Sequence, residues 1–233
     1  MRCKIADLVI EIPTAGGLAP RCEAYLWKGP EEPNIVIQEE KYRKERYPEG
    51  MPYIGYMESG SQFHSKILVF DGFYLHASAV VLEGKAYLFS GHSTAGKSTH
   101  TRLWQQVFGE KAVVINDDKP ALRRIDGVWY AYGTPWCGKD GINTNAKAPV
   151  AGVCFMKKAQ ENKIRRLSPL EAMQRVMSQT IYKFPTAEKL DLLVKHLDCF
   201  LREIPVYELE NRPEPEAALL SHSVMSRAEE ETK

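Results

Sequence analysis

The sequence predicts a mixed α/β fold that leans towards α+β, with largely antiparallel sheets followed by C-terminal helices. Three acidic-glycine pairs each separate two apolar runs, and such pairs are typical of tight β-hairpins. These pairs are Asp71-Gly72, Glu83-Gly84 and Asp126-Gly127. The last third is different, because Ser168-Pro169-Leu170-Glu171 combines an N-cap, a proline at the first helical position and a capping glutamate. A second helix is expected to begin near Thr186, after Pro185.

Composition and charge exclude several classes of protein. The chain has 233 residues, of which 44% are hydrophobic and 26% charged, as in an ordinary soluble globular domain. The net charge of +1 argues against a surface that binds nucleic acid. The sequence has no apolar run of membrane-spanning length and no signal-peptide pattern, so no membrane partner is expected and the cytoplasm is the default compartment. Five scattered cysteines without a C-x-x-C pair predict neither a zinc site nor disulfides. The assembly state stays open, with a homo-oligomer among the alternatives.

Three parts are expected along the chain. Residues 1–65 are expected to form a β-rich N-terminal lobe or extension, because their short apolar runs are separated by glycines and prolines. Within this part, residues 39–49 are highly charged and predict a loop or solvated face, and β-like runs resume between Tyr53 and Phe70. Residues 66–225 are expected to form the main domain, and residues 226–233 a frayed charged tail.

The stretch with the clearest chemistry is GHSTAGKST, residues 91–99, which fits the pattern G-x-x-x-x-G-K-[ST]. An apolar run at 86–89 precedes it and a helical stripe at 103–108 follows it, so the loop is expected at a helix N-terminus, fed by half of a hairpin. Amides in this position bind nucleotide phosphates, while the lysine supplies charge and the serine a Mg²⁺ ligand. The residues expected at the nucleotide are Gly91, His92, Ser93, Thr94, Ala95, Gly96, Lys97, Ser98 and Thr99. The alternative is a glycine-rich turn before a surface helix, which does not explain the lysine after the second glycine.

Two aspartates follow the next predicted strand, where the apolar run at 112–115 ends in Asn116-Asp117-Asp118. A carboxylate at such a strand end can hold Mg²⁺, and phosphoryl transfer to a hydroxyl also needs a proton acceptor. Asp117 and Asp118 are expected to divide these two roles, with Ser98 as a further metal ligand, although the division between them stays open. The alternative is an ordinary strand-to-turn junction. His76 by itself is more often a structural residue than a ligand or base.

A long loop from Gly133 to Pro149 is rich in glycine, proline and asparagine. Loops of this length in a compact domain are usually functional or disordered. We expect a flap that faces the substrate, because the loop contains side chains suited to stacking and to phosphate or acceptor contacts. These side chains are Trp136, Lys139, Asn143 and Asn145, with Lys139 as the expected charge contact.

Three segments together resemble a known family. LHASAV, GKAYLFSGHSTAGKST and INDD are similar to the catalytic domain of HPr kinase/phosphorylase, a bacterial protein serine kinase, and to the nucleotide-binding part of phosphoenolpyruvate carboxykinase. The resemblance covers about residues 70–155, and Thr94 stands where the family commonly has a glycine. It implies the fold of these proteins and a set of functional residues. This set is Lys97 on the phosphates, Ser98 on Mg²⁺, Asp117 and Asp118 as metal partner and catalytic base, and His76 near the active site.

The resulting hypothesis is an ATP- and Mg²⁺-dependent kinase that transfers the γ-phosphoryl group to a serine-type hydroxyl. The acceptor stays open between a protein, a peptide and a metabolite, as do the choice of ATP or GTP and a reverse phosphorylase activity. The alternatives are an ATPase or nucleotide switch without an acceptor, and a non-catalytic nucleotide-binding module. No N-K-x-D sequence for guanine recognition occurs in the chain, which disfavours a switch GTPase.

Overall fold

The computed structural model describes residues 1–13, 18–38, 54–180 and 186–227. Over these residues the protein has a nine-stranded mixed sheet, a three-stranded sheet near the N-terminus, and helices that pack on the larger sheet. The predicted mixed α/β fold with C-terminal helices is confirmed at this level. The predicted charged segment at 39–49 lies outside the described residues, as does the chain after residue 227.

The larger sheet is organised around one long strand of twelve residues, Lys147–Lys158. Its strands are β4 (Gly72–Tyr74), β5 (Ala77–Leu82), β6 (Lys85–Ser90), β7 (Val113–Asn116), β8 (Ala121–Ile125), β9 (Val128–Tyr132), β10 (Lys147–Lys158), β11 (Lys163–Arg166) and β12 (Val206–Asn211). The order is β4-β8-β9-β10-β6-β5-β7, and β12 pairs with both β10 and β11. β10 is parallel to β6 and to β12, whereas the other described pairs in this sheet are antiparallel. Residues 150–156 of β10 are buried without alternation because apolar clusters cover both faces of the sheet there.

Two of the three predicted hairpins are confirmed. Glu83 and Gly84 join β5 to β6 with φ angles of 52° and 77°. Asp126 and Gly127 join β8 to β9 with φ angles of 48° and 83°. Positive φ at both central residues matches the twist of the flanking strands, which explains why an acidic residue and a glycine occupy these turns. The strand that leads into the loop at 91–96 is therefore half of a hairpin, as predicted.

The segment before β4 is helical. α1 spans Ile54–Lys66 and a 3₁₀ helix, Ile67–Phe70, follows it directly, so the β-like runs predicted between Tyr53 and Phe70 are wrong for the described part of that segment. The hairpin predicted at Asp71-Gly72 is also wrong, because β4 pairs with β8 and not with the residues before Asp71. Asp71 instead has a left-handed backbone with φ of 53° and ends the 3₁₀ helix.

The N-terminal segment packs on the larger sheet through its own apolar core. The small sheet consists of β1 (Arg2–Ile5), β2 (Leu8–Glu11) and β3 (Ile35–Val36), and a 3₁₀ helix at Pro20–Tyr25 lies between β2 and β3. Its core residues form one cluster with Phe63 of α1 and with Trp136 of the β9–β10 loop. Arg123 Nη1 also donates to the Ala6 carbonyl oxygen at 2.7 Å. α1 crosses the predicted boundary at residue 65, and the division into domains stays a prediction.

Four further helices complete the fold: α2 (Lys97–Phe108), α3 (Pro169–Ser178), α4 (Ala187–Glu203) and α5 (Pro215–Arg227). The capping box of α3 is confirmed, since Ser168 N donates to Glu171 Oε2 at 2.9 Å and Glu171 N donates to Ser168 Oγ at 3.4 Å. α4 begins after its N-cap Thr186, as predicted. Within the described parts of the chain, none of the helices combines the length and apolar character needed to cross a bilayer.

Candidate active site

One cleft contains most of the residues to which the sequence assigns chemistry. Its volume is about 1480 Å³, whereas a typical small-molecule pocket has roughly 300–1,000 Å³. Its walls are the β6–α2 loop, the end of β7, the β9–β10 loop and parts of the N-terminal segment. The lining residues that matter below are Arg21, Tyr56, His76, residues 93–98, Asp117, Asp118, Lys119, residues 137–140 and Lys158.

The β6–α2 loop presents a helix N-terminus to this cleft. β6 ends at Ser90 and α2 begins at Lys97, so the first amides of α2 have no partner within the helix. Gly91 and Gly96 have φ angles of 141° and 102°, which glycine adopts without strain. Thr94 has φ of 70° although it is β-branched, so it adopts a conformation that favours glycine. Such a loop, with unpaired amides and a partial positive charge, is suited to an anion.

Lys97 folds back over its own loop. Its ammonium Nζ donates to the carbonyl oxygens of Gly91 at 3.0 Å and His92 at 3.4 Å, and the residue is 8% exposed. Burial lowers the pKa of Lys97 from its ordinary value, while the negative charge of Asp118 acts in the opposite direction. The Lys97 ammonium is therefore a buried cation whose two hydrogen-bond partners are neutral carbonyl oxygens of the loop.

Asp117 lies at the end of β7 and is 6% exposed. Its Oδ1 accepts a hydrogen bond of 2.5 Å from the Gly138 amide in the β9–β10 loop. Burial raises the pKa of the Asp117 carboxyl, the Gly138 hydrogen bond opposes this rise, and the negative charge of Asp118 adds to it. A cation beside Asp117 would offset both the burial and the repulsion.

Asp118 is held by two basic side chains. Its Oδ1 lies 3.1 Å from His76 Nε2, and its Oδ2 accepts from Lys119 Nζ. His76 Nδ1 lies 3.0 Å from Gln179 Oε1, so both ring nitrogens face hydrogen-bond acceptors. His76 is therefore part of the carboxylate cluster, in line with the role implied by the resemblance.

The two neighbouring carboxyls are in opposite electrostatic environments. Burial acts to raise the pKa of Asp118, but His76 and Lys119 outweigh it and hold that pKa well below its usual range. Asp118 is thus ionised at neutral pH, whereas the pKa of Asp117 is raised. Adjacent carboxyls with such different environments are suited to different chemical roles.

Trp136 lies in the core and not in the cleft. Its ring stacks on Phe63 with 4.6 Å between ring centres, its Nε1 donates to Ser59 Oγ at 3.1 Å, and its side chain is fully buried. This corrects the expectation that Trp136 faces a substrate. The tryptophan instead anchors the β9–β10 loop to α1.

Of the other residues proposed in that loop, Lys139 is exposed and lines the cleft. Asn143 and Asn145 brace the loop, since Asn143 Nδ2 donates to Cys137 Sγ at 3.2 Å and Asn145 Nδ2 donates to the Ala24 carbonyl at 3.0 Å. β10 begins at Lys147, so the loop ends at residue 146, three residues before the predicted end at Pro149. The role of Lys139 as a substrate contact stays a prediction.

Arg21, Tyr56 and Lys119 are among the cleft residues that the sequence-based prediction does not include. Lys119 directly follows the acidic pair in the sequence, and this position could have indicated its salt bridge with Asp118. Arg21 and Tyr56 belong to no sequence motif. At the cleft, both side chains donate hydrogen bonds to the carbonyl oxygen of Cys137. Arg21 Nη1 donates to this oxygen at 2.9 Å and Tyr56 Oη at 2.6 Å. Contacts over such separations in the chain leave no pattern in a single sequence.

The oxygen-bearing side chains of the cleft fit the requirements of Mg²⁺. Ser98, Asp117 and Asp118 all line it, and Mg²⁺ in nucleotide sites commonly takes one or two carboxylates together with phosphate and water oxygens. No group of three or more His, Cys, Asp or Glu side chains in the described ranges is arranged to hold a metal ion. These side chains therefore fit a metal ion that phosphate oxygens also coordinate. The predicted metal site stays a prediction.

Comparison with known proteins gives no family model and no curated protein that matches the sequence. Among solved structures, the chain is similar to the HPr(Ser) kinase/phosphatase from Coxiella burnetii. That match has 13% sequence identity and a TM-score of 0.38, and it covers 68% of this chain and 97% of that chain. A likeness at this level does not place the chain in a family, and membership stays a prediction.

Proposed function

We propose that this protein is an ATP- and Mg²⁺-dependent kinase that transfers the γ-phosphoryl group to a hydroxyl group. The main support is that a G-x-x-x-x-G-K-S loop at a helix N-terminus and a pair of carboxyls line one cleft. Enzymatic phosphoryl transfer depends mainly on positioning and on electrostatic stabilisation of the transferred group. A cleft with loop amides, a buried lysine and two aspartates offers both.

In the proposed complex, the loop amides and the first turn of α2 bind the nucleotide phosphates. Lys97 exchanges the carbonyl oxygens of Gly91 and His92 for phosphate oxygens. This exchange is favourable because a buried ammonium forms stronger hydrogen bonds with an anion than with neutral carbonyls. The charge of Lys97 then offsets the negative charge on the transferred group.

Asp117 and Ser98 are the proposed metal ligands, and Asp118 is the proposed proton acceptor. Asp118 has His76 and Lys119 on its two oxygens, which keep it ionised and oriented. It takes the proton of the acceptor hydroxyl as the new O–P bond forms, while ADP leaves as the O–P bond to the γ-phosphorus breaks. In a loose transition state the position of this carboxylate matters more than its basicity. Mg²⁺, when bound, would neutralise phosphate charge.

Incubation with γ-labelled ATP, Mg²⁺ and a panel of hydroxyl compounds tests the proposal. The panel consists of free serine, other hydroxyl metabolites and HPr-type proteins. We expect label on at least one acceptor, and loss of this transfer in Asp118→Asn with ATP binding retained. Asp140→Asn is a matched control, since Asp140 pairs with Arg102 at the cleft rim and transfer should persist.

Two outcomes would contradict the kinase proposal. If calorimetric titration gave no heat with any purine nucleotide plus Mg²⁺, the protein would not bind nucleotides and could not be this kinase. Phosphate release from ATP at full rate without any acceptor would identify an ATPase instead.

A further inference from the structure

Arg21 is a cation of the cleft that comes from the N-terminal segment. It lies in the 3₁₀ helix at Pro20–Tyr25 and is half-buried. Its Nη1 donates to the carbonyl oxygen of Cys137 at 2.9 Å and lies 3.3 Å from Cys137 Sγ. Its guanidinium carbon lies 5.0 Å from the centre of the Tyr56 ring. These contacts fix the guanidinium group in position at the wall of the cleft.

The guanidinium has no anionic partner in the part of the chain that the structure describes. Among these residues no carboxylate lies within salt-bridge distance of Arg21, and its hydrogen bonds use only Nη1. Two other cations at the cleft are paired, since Lys119 contacts Asp118 and Arg102 contacts Asp140. Lys139 and Lys158 also line the cleft without an ion pair among the described residues, but, unlike in Arg21, no hydrogen bond to a described residue fixes their charged groups. An oriented guanidinium with unused N–H groups is suited to a carboxylate, which it can bind through two parallel hydrogen bonds.

Arg21 is connected to the carboxyl pair through the β9–β10 loop. It contacts Cys137, the neighbour of Gly138, whose amide donates to Asp117 Oδ1. Arg21 and the two carboxyls also line the same cleft as residues 93–98.

Lys119 limits the distance between Arg21 and Asp118. Its ammonium, which contacts Asp118, lies 5.7 Å from the centre of the Tyr56 ring, the same ring on which Arg21 lies. The guanidinium carbon and the Lys119 ammonium are therefore at most about 11 Å apart, so both groups lie at one part of the cleft. The cleft volume of about 1480 Å³ has room for a small molecule beside a nucleotide.

We propose that Arg21 forms an anion subsite for the acceptor in the cleft that also contains the carboxyl pair, and that the phosphorylated hydroxyl compound carries a carboxylate. This inference rests on the proposed kinase function and names the class of its acceptor. The carboxylate binds the free N–H groups of Arg21, which brings the hydroxyl to Asp118. Arg21 is a specificity-determining residue in this arrangement, because a neutral alcohol gains nothing from it.

Two matched pairs of small ligands test the subsite without knowledge of the natural acceptor. Glycolate is compared with ethylene glycol, and 4-hydroxybutyrate with 1,4-butanediol, by saturation-transfer NMR on the full chain without nucleotide. Since charge-assisted hydrogen bonds are the stronger class, at least one carboxylate should bind about 10- to 100-fold more tightly than its diol. Arg21→Gln should abolish this preference, and Arg21→Lys should retain part of it. The control Arg166→Gln alters an exposed arginine of β11 and should keep the full preference.

Equal affinity for carboxylate and diol in both pairs in the wild-type protein would overturn the subsite, and this comparison needs no variant. A preference that survives in folded Arg21→Gln would overturn the assignment to Arg21. ATP binding is measured on the same samples by calorimetry. A protein that binds carboxylates through Arg21 but no nucleotide would retain the anion subsite and contradict the kinase proposal, so the two failures are distinguishable.

Discussion

Replacing Gly138 with alanine should displace Asp117 without removing a charged group. A Cβ on residue 138 would lie 2.7 Å from Asp117 Oδ2 and 3.0 Å from its Cγ. Ordinary contact begins at 3.4 Å, so the carboxylate oxygen has to move by about 0.7 Å, from 2.7 to 3.4 Å. The hydrogen bond from the Gly138 amide to Oδ1 is then strained or lost, which costs about 1–3 kcal/mol for a buried acceptor. Because Mg²⁺ requires ligand distances of about 2.0–2.1 Å, its coordination by Asp117 should also weaken.

Calorimetric titration with ATP, with and without Mg²⁺, measures this effect. Gly138→Ala should weaken binding of Mg·ATP by about tenfold or more, equal to about 1.4 kcal/mol. Binding of ATP without Mg²⁺ should stay near wild type. Once an acceptor is identified, kcat for phosphoryl transfer should be about 100-fold lower in Gly138→Ala, as expected for a misplaced catalytic group.

Gly141→Asn is the control in the same loop. An added Cβ at Gly141 meets no atom within 4 Å, and asparagine tolerates its φ of 70°. This variant should bind Mg·ATP as wild type does. Wild-type affinity of folded Gly138→Ala for Mg·ATP would refute the placement of Asp117 at the metal.

Three further predictions concern the loop and the buried histidine behind it. Lys97→Ala should weaken ATP binding by about 2 kcal/mol, roughly 30-fold, because the hydrogen bonds from its ammonium to phosphate are lost; an unchanged calorimetric Kd would contradict the exchange of carbonyl for phosphate oxygens. Thr94→Gly should stabilise the nucleotide-free protein in urea by up to about 1 kcal/mol, since relief of the strain at positive φ exceeds the added chain entropy, whereas Thr94→Val should give no gain. Burial lowers the pKa of His100 to about 4, so the unfolded chain binds the extra proton below its ordinary pKa of about 6.5. Stability should therefore rise with pH between these values, by up to about 1.4 kcal/mol per pH unit from His100. Urea unfolding between pH 4.5 and 7 should show a shallower pH dependence in His100→Gln, and parallel curves would contradict this account.

Local chemistry explains which parts of the fold could be predicted. The turns at Glu83-Gly84 and Asp126-Gly127 are decided by two residues and their φ angles, so the sequence is sufficient there. The β6–α2 loop and the acidic pair likewise lie within short segments, and their positions at strand ends follow from the apolar runs beside them. The cluster around Asp118 was partly predictable, because His76 was suggested by the resemblance and Gln179 by nothing in the sequence.

Long-range packing explains the errors. α1 contains Gly55 and Gly60, which suggest breaks in a strand region, yet Gly60 allows a close approach. An added Cβ there would lie 2.9 Å from the Trp136 ring, so the glycine is required by the tryptophan and not by a turn. The same packing buries Trp136, a residue whose loop context suggested a ligand contact. A short apolar run such as Ile67–Phe70 also fits a helix or a strand equally well, and only its neighbours decide.

The core that the small sheet shares with Trp136 connects the geometry of the proposed active site to a remote part of the chain. Trp136 and the carbonyl of Cys137 are held by α1 and by Arg21, and the next residue, Gly138, orients Asp117. A substitution in the core of β1 or β2 should therefore lower activity in the same way as a substitution in the proposed active site. Removal of the N-terminal segment should likewise give a protein with an incomplete cleft rather than a minimal enzyme.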